Sequence, residues 1–125
     1  MIEHTGVAVS DYKRAKDFYL TALAPLGYEL KRDYEEYGAA GFMEGGHTDF
    51  WVMKKDKPQP SHVAFRANSK EAVDAFYKAG LEAGGKDNGA PGYRKDYSPG
   101  YYAAFILDPD GSNIETVWFD PALEK

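Results

Sequence analysis

His4 and His62 are 58 residues apart, and so are the pairs Phe18-Tyr19 and Phe76-Tyr77, Leu23 and Leu81, and Gly27 and Gly85. Around each histidine the pattern is the same: apolar alternation, a polar break, then a helical period. Such a duplication sets two imidazoles at equivalent points of two similar units. A lone histidine on a strand is more often packed or exposed than a ligand; the repeat raises these two above that expectation. A divalent ion needs a third ligand, commonly a carboxylate, and Glu115 is the strongest candidate. It follows the turn DPDG, and alternation along NIETVWF puts Ile114 on one face and Glu115 on the other. A glutamate buried there is costly unless paired or metal-bound. Two histidines and a carboxylate suit non-haem Fe2+, and the same set suits catalytic Zn2+; Ni2+ and Mn2+ are further possibilities.

The elements that must position these residues follow from period. Over Ile2–Val9, Thr5, Val7 and Val9 point one way and His4, Gly6 and Ala8 the other, which predicts a strand. Ser10-Asp11 caps a helix in which Ala15, Phe18, Tyr19, Ala22, Leu23 and Leu26 recur, ended by Pro25 and Gly27. Strands are predicted over Tyr28–Asp33, Tyr37–Met43 and Thr48–Lys54, with His47 in the turn before the last. The charged, proline-rich KDKPQP (residues 55–60) reads as a linker. The order then repeats, with a strand over Ser61–Ala67 and a helix capped by Ser69 with Val73, Phe76, Tyr77, Gly80 and Leu81 on its stripe. Lys86–Gly100 holds a weak strand at most and otherwise reads as a loop. Strands over Tyr101–Asp108 and Asn113–Phe119 close the unit. The expected fold is α+β: two tandem βαβββ modules forming a curved mixed sheet around a concave site, helices on the outside. Module one is residues 1–54, module two 61–119, and 120–125 a polar tail, all within a single domain 1–125.

Composition bounds the function. A net charge of −5 argues against nucleic acid as a partner, and no apolar run approaches a membrane span. The N-terminal MIEHTG carries no export signal, and the absence of cysteine excludes disulfides and thiolate metal sites and fits a cytoplasmic protein. An EF-hand is excluded, because Pro109 interrupts the Asp108–Asp110 spacing and the twelfth position is Phe119. No phosphate-binding glycine motif is present.

HTGVAVSDYKRAKDFY at the start, SHVAFRA in the middle and FILDPDGSNIE near the end together resemble the vicinal oxygen chelate superfamily. That superfamily groups glyoxalase I, bleomycin and fosfomycin resistance proteins and extradiol ring-cleaving dioxygenases, and the resemblance covers nearly the whole chain. It implies metal ligands on the first and fourth strands of each module, hence His4, His62 and Glu115. The remaining position falls on Trp51, where glyoxalase I has a glutamate. Ring-cleaving dioxygenases of the family use only the other three positions, so the resemblance favours a ring-cleaving or other oxygen-dependent step over a glyoxalase-like lyase. The alternative it implies is a non-catalytic small-molecule or antibiotic-binding protein. A homodimer is expected, since the family's modules often pair and an eight-stranded cup leaves edges open. One site's histidines come from one chain or from two.

Other residues complete the expectation. Trp51 is cavity wall or a stacking platform for an aromatic substrate. Arg66 shares the parity of His62 and faces a substrate carboxylate or an acidic neighbour. Arg94 and Tyr101 are expected to contact a small-molecule substrate, and Tyr97 and Tyr102 supply candidate phenols for proton transfer. The bland reading of that tyrosine-rich loop is a surface or dimer contact.

Overall fold

The structure, a computed structural model, describes residues 1–124. Two helices, α1 (Tyr12–Leu23) and α2 (Lys70–Glu82), begin where a side chain takes up the free backbone N–H groups of the first turn. Asp11 accepts from Arg14 N at 3.1 Å, and Ser69 accepts from Ala72 N at 3.1 Å. Each helix follows a strand and precedes three more. The first module is β1 (Thr5–Val9), α1, β2 (Glu29–Tyr34), β3 (Ala39–Glu44) and β4 (His47–Lys54). The second is β5 (His62–Arg66), α2, β6 (Lys86–Tyr93), β7 (Tyr101–Leu107) and β8 (Asn113–Phe119).

Two four-stranded sheets result, ordered β1-β4-β3-β2 and β5-β8-β7-β6, with the first pair of each parallel and the others antiparallel. This is the expected α+β architecture of two mixed-sheet modules in a curved arrangement. The repeat extends to register: Gly6 lies beside Trp51 on β4, and Ala64 lies beside Glu115 on β8. The alignment of Trp51 with Glu115 is therefore structural.

Each helix covers one face of its own sheet. Val7, Val9, Phe42, Phe50 and Val52 meet Ala15, Phe18, Tyr19, Ala22 and Leu23 of α1 in the buried core. Ile106 and Ile114 meet Val73 and Phe76 of α2 in the same cluster. The close seating of α2 requires Gly80, where an added Cβ would fall 2.4 Å from Ile106 Cδ1. The helices also pack on each other, and Phe65 of β5 stands edge-on to Phe50 of β4 at 5.0 Å, so the modules share one core.

Two expectations need correction. Lys86–Tyr93 is a full strand and not mainly a loop. Pro91 is tolerated because β6 is an edge strand, and the pairing with β7 shifts at Gly89 and Gly92. Arg94 supports the irregular edge by donating to Gly92 O at 2.8 Å and Ala90 O at 2.7 Å. His47 is the first residue of β4 and not part of the turn before it; it is exposed as expected, and its Nε2 lies 2.7 Å from Glu3 O.

Phenol–carboxylate pairs recur. Among the described residues, six of the ten tyrosines donate to a carboxylate: Tyr12 to Asp33, Tyr19 to Asp108, Tyr28 to Asp49, Tyr93 to Asp120, Tyr101 to Glu115 and Tyr102 to Asp74. The Tyr19–Asp108 bond, 2.5 Å long and buried at both ends, joins α1 to the β7–β8 turn of the other module. Burial pushes the Asp108 carboxyl up, while Tyr19 and the backbone N–H groups of Ser112 and Asp110 oppose that rise. Removing the phenol oxygen leaves a buried carboxylate short of a donor. Tyr19→Phe is expected to lower the stability by about 1–3 kcal/mol in urea denaturation, with the slope unchanged.

The same pairs set the alkaline limit. Burial first, and the paired carboxylate second, raise the phenols of Tyr12, Tyr19, Tyr28, Tyr101 and Tyr102 above their ordinary value of 10.0. Because the folded values lie higher, the unfolded chain loses these protons first as pH rises. Their contribution to stability is thus present below pH 10 and is lost as pH climbs through the folded values. Absorbance titration at the phenolate band should show one set of tyrosines ionising normally and a second ionising only as the circular dichroism signal collapses.

Candidate functional site

β8 is an interior strand, so Glu115 on its helix-free face has Ala64 on one side and Phe105 on the other. Ala103, which shares that face of β7, has too small a side chain to block Tyr101 from leaning toward it. The result is a carboxylate only 3% exposed on a face that no helix covers. Its two oxygens each have a donor. His62 Nε2 lies 2.9 Å from Oε1, and the Tyr101 hydroxyl donates to Oε2. The imidazole itself is open, with 54% of its side chain exposed. Burial and the adjoining Glu115 hold the Tyr101 phenol well above its ordinary value, so at neutral pH it is a proton donor to Glu115.

Aromatic rings hold this pair of strands in place. Tyr101 is edge-on to Tyr97 at 5.1 Å and to Phe119 at 5.3 Å. The Arg66 guanidinium lies 5.2 Å over the Phe119 ring, and that of Arg94 lies 5.3 Å over Phe105. Arg94 spends its donors on the β6 carbonyls, whereas no carboxylate pairs with Arg66 among the described residues. One cationic group is therefore left unpaired on the face that carries His62 and Glu115.

The remaining sequence-predicted residues lie elsewhere. Tyr102 has the opposite parity and is buried under α2, its hydroxyl donating to Asp74 at 2.6 Å. Trp51 lies on the helix-free face of the first sheet, stacked on Tyr34 with centroids 6.3 Å apart. Its indole rests on Gly41, where a Cβ would come within 2.9 Å of Cη2. His4 precedes β1 and bonds to Glu3 through Nδ1; its side chain is 58% exposed. Glu3 also meets His47 Nε2 at 3.0 Å, and its carboxyl is held low chiefly by the His4 bond. His4 lines a cavity of about 440 Å³ between the modules, with Tyr28, Asp49, Phe50, Phe65 and Arg66. The structure thus joins His62, Glu115 and Tyr101 within one chain and does not bring His4 to them.

Among the described residues no three His, Asp or Glu side chains converge at metal-ligand range. The donor types nevertheless suit a divalent ion. The 2.9 Å between His62 Nε2 and Glu115 Oε1 is also about the separation kept by two adjacent donors of a six-coordinate ion that each lie about 2.0–2.2 Å from it; a tetrahedral ion would hold them about 0.5 Å further apart. One chain presents a His–Glu pair with no third His, Asp or Glu beside it among the described residues. Sequence reasoning missed the contact of Tyr101 with Glu115. The available signal was parity, since Tyr101, Phe105, Glu115 and Phe119 all fall on one face of the β7–β8 hairpin.

Several solved structures share this arrangement of strands and helices. A glyoxalase/bleomycin resistance protein from Albidiferax ferrireducens T118 superposes with a TM-score of 0.81 at 26% identity, over 96% of this chain and 99% of that one. A glyoxalase/bleomycin resistance protein/dioxygenase family enzyme from Burkholderia phytofirmans PsJN gives 0.70 at 16% identity, covering 94% and 98%. A glyoxalase-related enzyme from Fulvimarina pelagi gives 0.70 at 14% identity, covering 94% and 87%. Below 25% identity the likeness is one of fold alone. No curated protein sequence matches the chain. The family profile, however, matches residues 1–116. By that match and by its fold, the chain belongs to the Glyoxalase/Bleomycin resistance protein/Dioxygenase superfamily.

Proposed function

We propose that the protein is a metal-dependent enzyme acting on a small molecule, with His62 and Glu115 of one copy and His4 of a second copy holding one divalent ion, Fe2+ or Zn2+. The observation that carries this reading is the His62–Glu115 pair: a buried carboxylate and an open imidazole, close in separation and suited in donor type, with the other histidine of the repeat not grouped with them in the same chain among the described residues. Closure by a second copy follows from the two helix-free sheet faces, one bearing Trp51 and the other Glu115. A bound ion supplies Lewis acidity and, if it is redox-active, access to dioxygen chemistry. The chain's own residues do the rest. Arg66 attracts an anionic group of the substrate, Tyr97 and Phe119 wall the face beside Glu115, and the Trp51 indole offers a flat apolar surface for an aromatic ring. Trp51 stands where glyoxalase I carries a glutamate, so an oxygen-dependent step such as ring cleavage is favoured over a glyoxalase-like one.

Metal analysis of the untagged protein is expected to find about one ion per chain. His4→Ala, His62→Ala and Glu115→Ala should each remove it. The shared site makes a further demand. His4→Ala and Glu115→Ala chains refolded together should regain about a quarter of the wild-type metal content, because each mixed dimer rebuilds one intact site. No recovery in the mixture would reject a site shared between copies. On a panel of catechols, oxygen uptake by the wild type and none by Glu115→Ala is expected; equal turnover would remove Glu115 from the site. Methylglyoxal with glutathione should yield little thioester.

One observation favours a second reading, that of a binding protein without chemistry. Both Glu115 oxygens already have protein donors, so the carboxylate is satisfied without an ion. Under that reading added Zn2+ or Fe2+ leaves the melting temperature unchanged. Under the leading one it raises it, since a ligand that binds only the folded state stabilises that state.

A further inference from the structure

Tyr101 is placed to do more than line a pocket. Its hydroxyl donates to Glu115 Oε2, leaving Oε1 as the oxygen that faces His62 Nε2. The ring direction is fixed by two edge-on contacts, Tyr97 at 5.1 Å and Phe119 at 5.3 Å, and Phe119 is itself covered by the Arg66 guanidinium. A glutamate held at one oxygen alone can rotate about its terminal torsion; one held at both cannot. We infer that Tyr101 is a positioning residue, which reserves Oε2 of Glu115 and so presents Oε1 alone, beside His62 Nε2, to a divalent ion.

The inference rests on the metal-dependent reading of the His62–Glu115 pair and adds a role that the ligand set does not assign. It accounts for two features together. Glu115 is almost wholly buried although no helix covers it, and the tyrosine that buries it lies diagonally across the hairpin, not at the paired position, which Phe105 holds. A phenol serving only to cover Glu115 would leave the ion's surroundings unchanged when its oxygen is removed. A phenol that reserves Oε2 would not, because the freed oxygen can then compete for the same ion. Partners of ligating groups typically alter metal affinity by about 10–100-fold when they are removed.

The test uses the full-length protein with Zn2+ for calorimetry and Co2+ for visible absorption. Tyr101→Phe keeps the ring between Tyr97 and Phe119 and deletes only the hydroxyl. Zn2+ affinity is expected to fall by about tenfold or more, and the Co2+ bands to shift in position and intensity, with near-ultraviolet circular dichroism unchanged. Tyr12→Phe, which removes a similar phenol–carboxylate bond to Asp33 in the first module, should leave both readouts as in the wild type. A wild type that binds and a Tyr101→Phe variant within about twofold of it, with the same Co2+ spectrum, would overturn this role and leave the metal-dependent reading standing. A wild type that takes up neither ion would overturn that reading and this role with it. Should Tyr101→Phe not fold, Tyr101→Gln decides. Its amide restores a donor, so affinity within about threefold of wild type supports the role, and a loss as large as in Glu115→Ala rejects it.

Discussion

One helix cannot cover both faces of a four-stranded sheet, and each module has only one. That constraint orders the whole molecule. Val7, Val9, Phe42, Phe50 and Val52 turn toward α1, and Ile106 and Ile114 turn toward α2, which leaves Gly6, Trp51, Ala64 and Glu115 on faces without a helix. The two covered faces solve their burial jointly, through Phe50 against Phe65 and Tyr19 reaching Asp108. Among the described residues, neither helix packs on the other two faces.

The carboxylates that remain inside or beside the core each meet a tyrosine, alone or with a further donor. A phenol brings a large apolar ring together with a single donor, so it buries area and satisfies an acceptor in the same step. Tyr19 does this for Asp108 across the module boundary, Tyr28 for Asp49 at the cavity, and Tyr101 for Glu115 on the open face. The high tyrosine content of an acidic chain thereby has a structural reason. Lysine and arginine are used less in this way: Lys16 joins Tyr12 on Asp33, while Arg66 and Arg94 lie over aromatic rings.

How much of this was legible in the sequence follows from the kind of information each feature needs. Seven of the eight strands, the two helices and their caps are set by local alternation, helical period and Asp11 or Ser69, and these were readable. β6 was not, because Gly89, Pro91 and Gly92 have poor strand preference; its pairing is imposed by β7 and by Arg94 from outside the segment. At the site, parity put His62 and Glu115 on one face, and the structure has them in contact. In the sequence Tyr102 groups with Tyr97 and Tyr101 as part of one tyrosine-rich loop, yet neighbours on a strand face opposite ways, and Tyr102 lies under α2. The packing of one module on the other was beyond any local rule. It depends on side chains of one module meeting those of the other, Tyr19 with Asp108 and Phe65 with Phe50, and it decides where His4 lies relative to His62.

The duplication makes the remaining asymmetry informative. Gly6–Trp51 and Ala64–Glu115 occupy the same register in their sheets, so the backbone offers the same position twice. The first module fills it with an indole laid on Gly41 and stacked on Tyr34, an apolar surface that needs no polar partner. The second fills it with a carboxylate that needs two donors and has them in His62 and Tyr101. Geometry was kept and chemistry was not. A charged group is retained on a sheet face only against the cost of removing it from water, whereas an indole incurs no such cost. The second module thus carries the polar group at this position, and the first carries a flat aromatic surface, with a half-exposed histidine before its first strand that lines the cavity between the modules.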